Sequence, residues 1–206
     1  MNIRIENQDL SFIHCELFAK EQNIDNIFSR KNNKTVYETI TEVKSNGKKN
    51  WYARLKHDID KSYNQYKDYP LGEFLLNLKK NGNDFYKCFL NNYGDELFCS
   101  FKITDSKILP LKGLYAYCMD NDLKYIGLTT DSYYKRINGG YAKISPKKCY
   151  VDGRITECRL NSYINPFIHR ISFYIYPMLD NKQIAILEEK LIKKYNPEWN
   201  IKSRSN

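Results

Sequence analysis

Glu188 is the residue whose type and setting most demand an explanation. On a helical wheel of about 100° per residue, Ile184, Leu187, Leu191, Ile192 and Tyr195 fall in one apolar arc, and Glu188 falls inside it. Glu189 lands on the opposite side, near Lys193. A carboxylate within an apolar stripe is costly unless it is paired or binds a cation, so Glu188 is a candidate for either role. A plain edge position with a nearby Arg partner is the competing reading. A second group of chemically capable side chains is phenolic: Tyr115 and Tyr117 in one aromatic run, and Tyr125 ten residues after Tyr115. A third is thiol: Cys149 and Cys158, with His169 beyond, offer soft ligands but no evident fourth one, and none of the six cysteines is in a CxxC pair.

Positioning these groups falls to a few elements. Gly113-Leu114-Tyr115 and Tyr125-Ile126-Gly127 flank Asp120-Asn121-Asp122, which reads as a β-hairpin because Asn and Asp tolerate left-handed backbone. Tyr115 and Tyr117, two apart, must share one face of their strand, and register decides which of them meets Tyr125. Thr129-Thr130-Asp131 supplies N-cap oxygens for a helix through Tyr133 to Ile137, with Gly139-Gly140 as its stop. Residues 141–158 read as a long basic loop, then a helix spans about 157–164 and a strand 171–176. Asn181 opens a last long helix to Tyr195, and Pro197 lies beyond it.

The preceding half carries no chemical constellation. Leu10, Phe12, Ile13, Leu17 and Phe18 have helix-compatible spacing over 8–20, and residues 22–34 read as a loop. Thr35 with Glu38 forms a capping-box pattern ahead of Val36, Ile40 and Val43, with Gly47 as the stop. Tyr52, Leu55, Ile59, Tyr63 and Tyr66 continue an amphipathic helix from Trp51, a short helix covers 71–79, and 85–90 and 97–103 read as a strand pair. The expected organisation is therefore a mainly helical region over 1–110, serving to read DNA, dimerise or support, and a second domain over 111–206.

The chain has 206 residues, of which 42% are hydrophobic and 28% charged. No apolar run of about twenty residues and no leader with an apolar core is present, so no membrane association and a cytoplasmic location are expected. The net charge of +9 is uneven along the sequence: 17 Lys+Arg against 15 Asp+Glu over 1–110, but 16 against 9 over 111–206. That bias is what a polyanion-binding segment would show, although solvated lysines also produce it.

The two triplets, Lys135-Arg136 on the following helix, Glu188, and Asn196-Pro197-Glu198-Trp199-Asn200 together resemble the GIY-YIG nucleases over about residues 111–202. The stretch Leu187-Glu188-Glu189-Lys190-Leu191-Ile192 through Trp199-Asn200-Ile201 is similar to that of phage-encoded endonuclease II and the GIY-YIG type II restriction enzymes. The resemblance independently selects Glu188, which lies twelve residues before Asn200. It implies an α+β core with α-β-α layering: a small three-stranded antiparallel sheet flanked by helices.

It also implies a metal-dependent DNA endonuclease of restriction type, or one related to phage or defence, that hydrolyses phosphodiester bonds. The site residues it implies are Tyr115, Tyr125, Arg136, Tyr141, Glu188 and Asn200. Glu188 would hold Mg²⁺ or Mn²⁺, Arg136 would meet phosphate oxygens, and either Tyr115 or Tyr125 would be the base. Asn200 would fix the site by hydrogen bonds. Lys135, Lys143, Lys147, Lys148, Arg154 and Arg159 are the candidate contacts to DNA, expected to be double-stranded. Cutting both strands with one site per chain would favour a homo-oligomer or sequential nicking. Leu128 stands where many members carry Lys, which leaves open an inactive DNA-binding or regulatory module; an RNA-directed nuclease is a third reading.

Overall fold

The structure, a computed structural model, describes residues 1–6, 8–43 and 50–201. Its strands are β1 (Asn2–Ile5), β2 (Gln8–Ser11), β3 (Ile13–Cys15), β4 (Phe18–Ile24), β5 (Phe98–Lys102), β6 (Gly113–Met119), β7 (Asp122–Thr129) and β8 (Ile171–Pro177). Its α-helices are α1 (Val36–Thr41), α2 (Lys56–Ser62), α3 (Leu71–Lys80), α4 (Pro146–Cys149), α5 (Ile155–Ile164) and α6 (Asn181–Tyr195). Among the described residues no helix is long and apolar enough to cross a membrane.

Two compact units interleave in sequence. The first comprises Met1–Gln22, Cys99–Lys143 and Tyr163–Asn206; the second comprises Asn23–Phe98 and Ile144–Ser162. The segments 1–22 and 99–110 therefore cluster with the hairpin, while 144–162 clusters with 23–98. Charge divides as 16 Lys+Arg against 12 Asp+Glu in the first unit and 17 against 12 in the second. The basic excess is shared, even though it is concentrated in one half of the sequence.

In the first unit the central sheet is antiparallel and four-stranded, in the order β3-β8-β6-β7. Two-stranded ribbons, β1-β2 and β4-β5, accompany it. This corrects the expectation of a single three-stranded sheet: β3, from the segment expected to be helical, pairs Ile13 with Ile175 and Cys15 with Phe173 along β8. The helix expected over 8–20 is thus three strands. Ile3 and Ile5 on β1 and Leu10 with Phe12 alternate inward at a period of two, whereas Ile13 and Phe18 are exposed. An apolar stretch this short fits both periods, and pairing with strands far along the chain decides between them.

One face of the sheet presents Leu114, Ala116 and Ile126 to Ile184, Leu191 and Ile192 of α6 and to Ile3, Ile5, Leu10 and Phe12. The other face carries the phenols. The hairpin has a two-residue turn at Asp120 and Asn121, with φ of 50° and 69°. Asp180 caps α6 by accepting from the Lys182 and Gln183 N–H groups.

The second unit is mainly helical around Phe28, Val36, Phe74, Leu75, Phe89 and Phe98. Its capping box is present: the Glu38 N–H donates to Thr35 Oγ1 at 3.1 Å and the Thr35 N–H donates to the Glu38 carboxylate at 2.7 Å. The helix ends at Thr41 and Val43 is exposed; the stop assigned to Gly47 lies outside the described residues. The single helix expected from Trp51 is broken into α2 and short 3-10 turns at Ala53–Leu55 and Asn64–Tyr66. The expected strand pair is also corrected: Asp84–Phe89 is a 3-10 helix, so the strand at 98–102 pairs with β4 instead. The expected basic loop over 141–158 contains α4 and the start of α5.

Candidate active site

Both glycines of the paired triplets are required by close approach. Gly113 has φ of 143°, and a Cβ there would lie 2.2 Å from the Tyr176 carbonyl oxygen. A Cβ on Gly127 would lie 2.5 Å from Cζ and Oη of Tyr115. Gly127 faces Tyr115 directly across the hairpin, so the missing side chain is the space the phenol occupies. Register places Tyr117, not Tyr115, opposite Tyr125. The Tyr115 and Tyr125 rings still meet on the diagonal, stacked at 6.2 Å between centroids.

Arg136 and Tyr141 are delivered by one irregular helix. The turn expected to stop at Gly139-Gly140 continues through both glycines as a π-helix over Tyr134–Tyr141, closed by Ala142 N–H donating to the Ile137 carbonyl at 2.8 Å. At α-helical pitch, residues five apart would diverge by about 140° around the axis. The wider π turn pairs positions five apart, and the Arg136 guanidinium carbon sits 5.2 Å from the centre of the Tyr141 ring.

These side chains converge on one hydroxyl. Arg136 Nε donates to Tyr115 Oη at 3.1 Å, and Tyr115 Oη donates to Tyr141 Oη at 3.1 Å. Tyr125 Oη lies 3.5 Å from Tyr141 Oη. Burial, followed by the neighbouring phenols, holds Tyr115 well above the usual phenol range, with Arg136 opposing. Tyr125 is raised by the same causes, and Glu188 adds to them. Arg136 has its charge disfavoured by burial, but the Tyr115 and Tyr141 oxygens outweigh this and raise its pKa. In this setting both hairpin phenols are neutral hydrogen-bonding groups at neutral pH.

Glu188 lies half-buried on α6. Burial raises its carboxyl above the ordinary 4.5, while Arg136 through space and a hydrogen bond from the Leu128 backbone pull it down. Since β7 is the outer strand of the sheet, that backbone contact puts the carboxylate at the sheet edge. Its charge is thus only partly compensated by protein groups. Among the described residues no group of three or more His, Cys, Asp or Glu side chains gathers to hold a metal. A lone carboxylate fits a hard divalent cation that keeps several waters and shares a substrate oxygen, and does not fit an all-protein cage.

Asn200 is a structural clamp. Its Nδ2 donates to the Ile126 carbonyl at 2.7 Å and its Oδ1 accepts from the Ile126 N–H at 2.9 Å, as a neighbouring strand would. The Trp199 N–H donating to the Lys124 carbonyl at 2.9 Å extends this edge cover. Asn138 clamps Ile103 in the same two-bond manner, both at 2.9 Å, and so fixes the π-helix between Arg136 and Tyr141. No sequence pattern marks Asn138. Tyr117 was a visible but unassigned neighbour: it is wholly buried among Tyr125, Tyr115 and Phe173, and its hydroxyl is without a hydrogen-bond partner among the described residues.

The six candidate DNA contacts do not form one set. Lys135 is exposed and paired with Asp131 at 2.8 Å, and Lys143 is exposed near the end of the π-helix. The other four belong to the second unit. Lys148 is bound to the buried Glu157 at 2.7 Å, Arg154 reaches the same carboxylate at 2.9 Å, and Arg159 is buried. Only Lys147 of these four is exposed and outside that cluster. Comparison of the chain with protein-family models, curated proteins and solved structures finds no match.

Proposed function

We propose that this chain is a divalent-metal-dependent endonuclease that hydrolyses phosphodiester bonds of double-stranded DNA, with Tyr115, Arg136, Tyr141 and Glu188 at its centre. The carrying observation is the convergence of Arg136 Nε and Tyr141 Oη on Tyr115 Oη, each at 3.1 Å, with the Glu188 carboxylate electrostatically coupled to Arg136. These residues come from a strand, a π-helix and a helix far apart in sequence. The resemblance of the two triplets, Arg136, Glu188 and Asn200 to the GIY-YIG nucleases supports the same reading.

Glu188 is the residue that would hold Mg²⁺ or Mn²⁺, which when bound supplies charge neutralisation at the scissile phosphate. Arg136 spends its Nε on Tyr115, so its two Nη groups remain as a fork for phosphate oxygens as their charge grows. Tyr115, wholly buried between Arg136 and Tyr141, fixes the guanidinium by accepting from its Nε, and Tyr141 links it to Tyr125, the least buried of the three phenols, as a path for a proton. Asn200 and Asn138 hold the two flanking backbones in register.

The same pKa directions favour a second reading, an inactive DNA-binding module, because buried neutral phenols are weak bases and Leu128 brings no charge. Incubating supercoiled plasmid with and without Mg²⁺ separates the two. Cutting that needs the metal and disappears in Glu188→Ala, with circular dichroism unchanged, is the expected result. Absence of cutting with Mg²⁺ would end the nuclease proposal in favour of the binding module; metal-independent cutting, or equal cutting by Glu188→Ala, would end the metal-seat role given to Glu188.

A further inference from the structure

The second unit contains an open pocket of about 510 Å³ whose lining includes Arg30, Lys31, Asn32, Asn33, Ser145 and Lys147. Among the described residues no acidic side chain lines it. It forms where a 3-10 turn, Ile27–Arg30, and the residues after it face the start of α4. That wall is rigidly held. The Gly72 N–H donates to the Lys31 carbonyl at 2.8 Å, the Leu71 N–H donates to the Lys34 carbonyl at 3.0 Å, and Tyr150 Oη donates to the Phe28 carbonyl at 3.0 Å. Gly72 approaches so closely that a Cβ would lie 2.1 Å from the Ser29 carbonyl oxygen. Lys31 Nζ is stationed 4.3 Å over the Tyr150 ring.

The charge in this pocket differs in kind from the charge beside it. Lys148 and Arg154 are committed to Glu157, whereas Arg30 and Lys147 are exposed and enter no ion pair among the described residues. Like charges gathered in a concave wall repel one another and are relieved by an anion. Ligand pockets for small metabolites enclose most of their ligand, whereas this one is open; its wall is formed by Pro146 and the aliphatic stems of long side chains that carry cations and amides at their ends, beside the Ser145 hydroxyl. Those polar ends are the groups that contact sugar-phosphate backbone without reading sequence.

We infer that this pocket holds consecutive backbone phosphates of duplex DNA, so that the second unit contributes its own non-specific grip. Duplex DNA as the source of those phosphates rests on the proposed function; the anion chemistry of the pocket does not.

The test is fluorescence anisotropy of the full chain with a labelled duplex of random sequence, in EDTA so that nothing is cut, across a series of salt concentrations. Arg30→Ala/Lys147→Ala should weaken binding roughly tenfold at moderate salt and reduce the slope of log K against log salt by about two, one for each phosphate no longer neutralised. Arg30→Lys/Lys147→Arg should bind nearly as wild type does. Thermal melting with added pyrophosphate forms a second arm. Wild-type affinity and slope in the double alanine variant overturn the inference, as does pyrophosphate protection that needs Arg30 and Lys147 in a chain whose duplex binding does not. A chain that grips duplex through this pocket yet cuts no plasmid keeps the inference and ends the nuclease proposal. A chain that cuts while the double variant binds unchanged does the reverse.

Discussion

The two faces of β6 are equally dry and differ in everything else. Leu114 and Ala116 on one face, and Tyr115 and Tyr117 on the other, are all fully buried. The first pair packs in an apolar cluster with residues of α6, β1 and β2, while the second packs its rings with Tyr125 and brings the Tyr115 hydroxyl to Arg136 and Tyr141. Burial alone therefore does not separate core from site. What separates them is whether burial removes water from apolar atoms, which stabilises, or from polar atoms, which costs unless partners are supplied. Truncation on the aliphatic face should break this contrast most strongly if it is mistaken. Leu114→Ala is expected to lower unfolding free energy by about 2–5 kcal/mol in urea denaturation, with far less change in plasmid cutting per folded molecule. A loss of cutting out of proportion to the unfolded fraction would show that the two faces do not divide the work.

On the phenolic face the expected effects are reversed. Arg136→Lys keeps the positive charge but removes the Nε donor to Tyr115 and the planar fork. Cutting should fall roughly 10- to 100-fold, about 1.4–2.7 kcal/mol of barrier, with a melting temperature close to wild type because Arg136 is only half-buried. Wild-type cutting by the Lys variant would mean that point charge suffices and that the Arg136–Tyr115 hydrogen bond is incidental.

Tyr117 sharpens the comparison, since it lies on the phenolic face without serving the network. Its hydroxyl is buried and without a hydrogen-bond partner among the described residues, so Tyr117→Phe should be neutral or stabilising by about 1 kcal/mol. A clear destabilisation in the same urea titration would reveal that the hydroxyl is satisfied in solution.

What could be read from the sequence was what the chain decides locally. The hairpin turn at Asp120-Asn121, the Thr35–Glu38 cap, α3 and α6 all follow from turn chemistry, capping or period within a few residues. β3 could not be read this way, because three residues acquire strand identity only by pairing with β8, some 160 positions later. The π-helix was hidden by Gly139-Gly140, which stop an α-helix but are accommodated in a wider turn whose middle is held by the Asn138 clamp. For the site, wheel geometry placed Glu188 inside an apolar stripe, where it is half-buried, and strand alternation placed Tyr115 and Tyr117 on one face, while the register that sets Tyr117 opposite Tyr125 was not legible. The basic residues were least legible. Composition cannot say that Lys148 is committed to Glu157 while Lys147, one position earlier, is exposed.

The smallest expected effect concerns Glu188, where stability and the proposed activity should pull apart. Its carboxyl is raised above 4.5 in the folded chain, chiefly by burial, so the folded state binds its proton more tightly than the unfolded state does. Well below that value both states are protonated and Glu188 costs nothing by its charge. As pH rises through the folded pKa, the carboxylate must ionise in a partly dry site, and the fold loses stability there. Glu188→Gln, neutral at every pH, escapes that loss. Its melting temperature should exceed wild type modestly at pH 7, and the difference should vanish as pH falls toward 4.5 and below. A side chain present only for packing would leave activity with the Gln variant, whereas a cation seat would not. If acidification widens the gap instead, Glu188 is stabilised as a carboxylate by Arg136, and the excess negative charge argued for the cation site is not there.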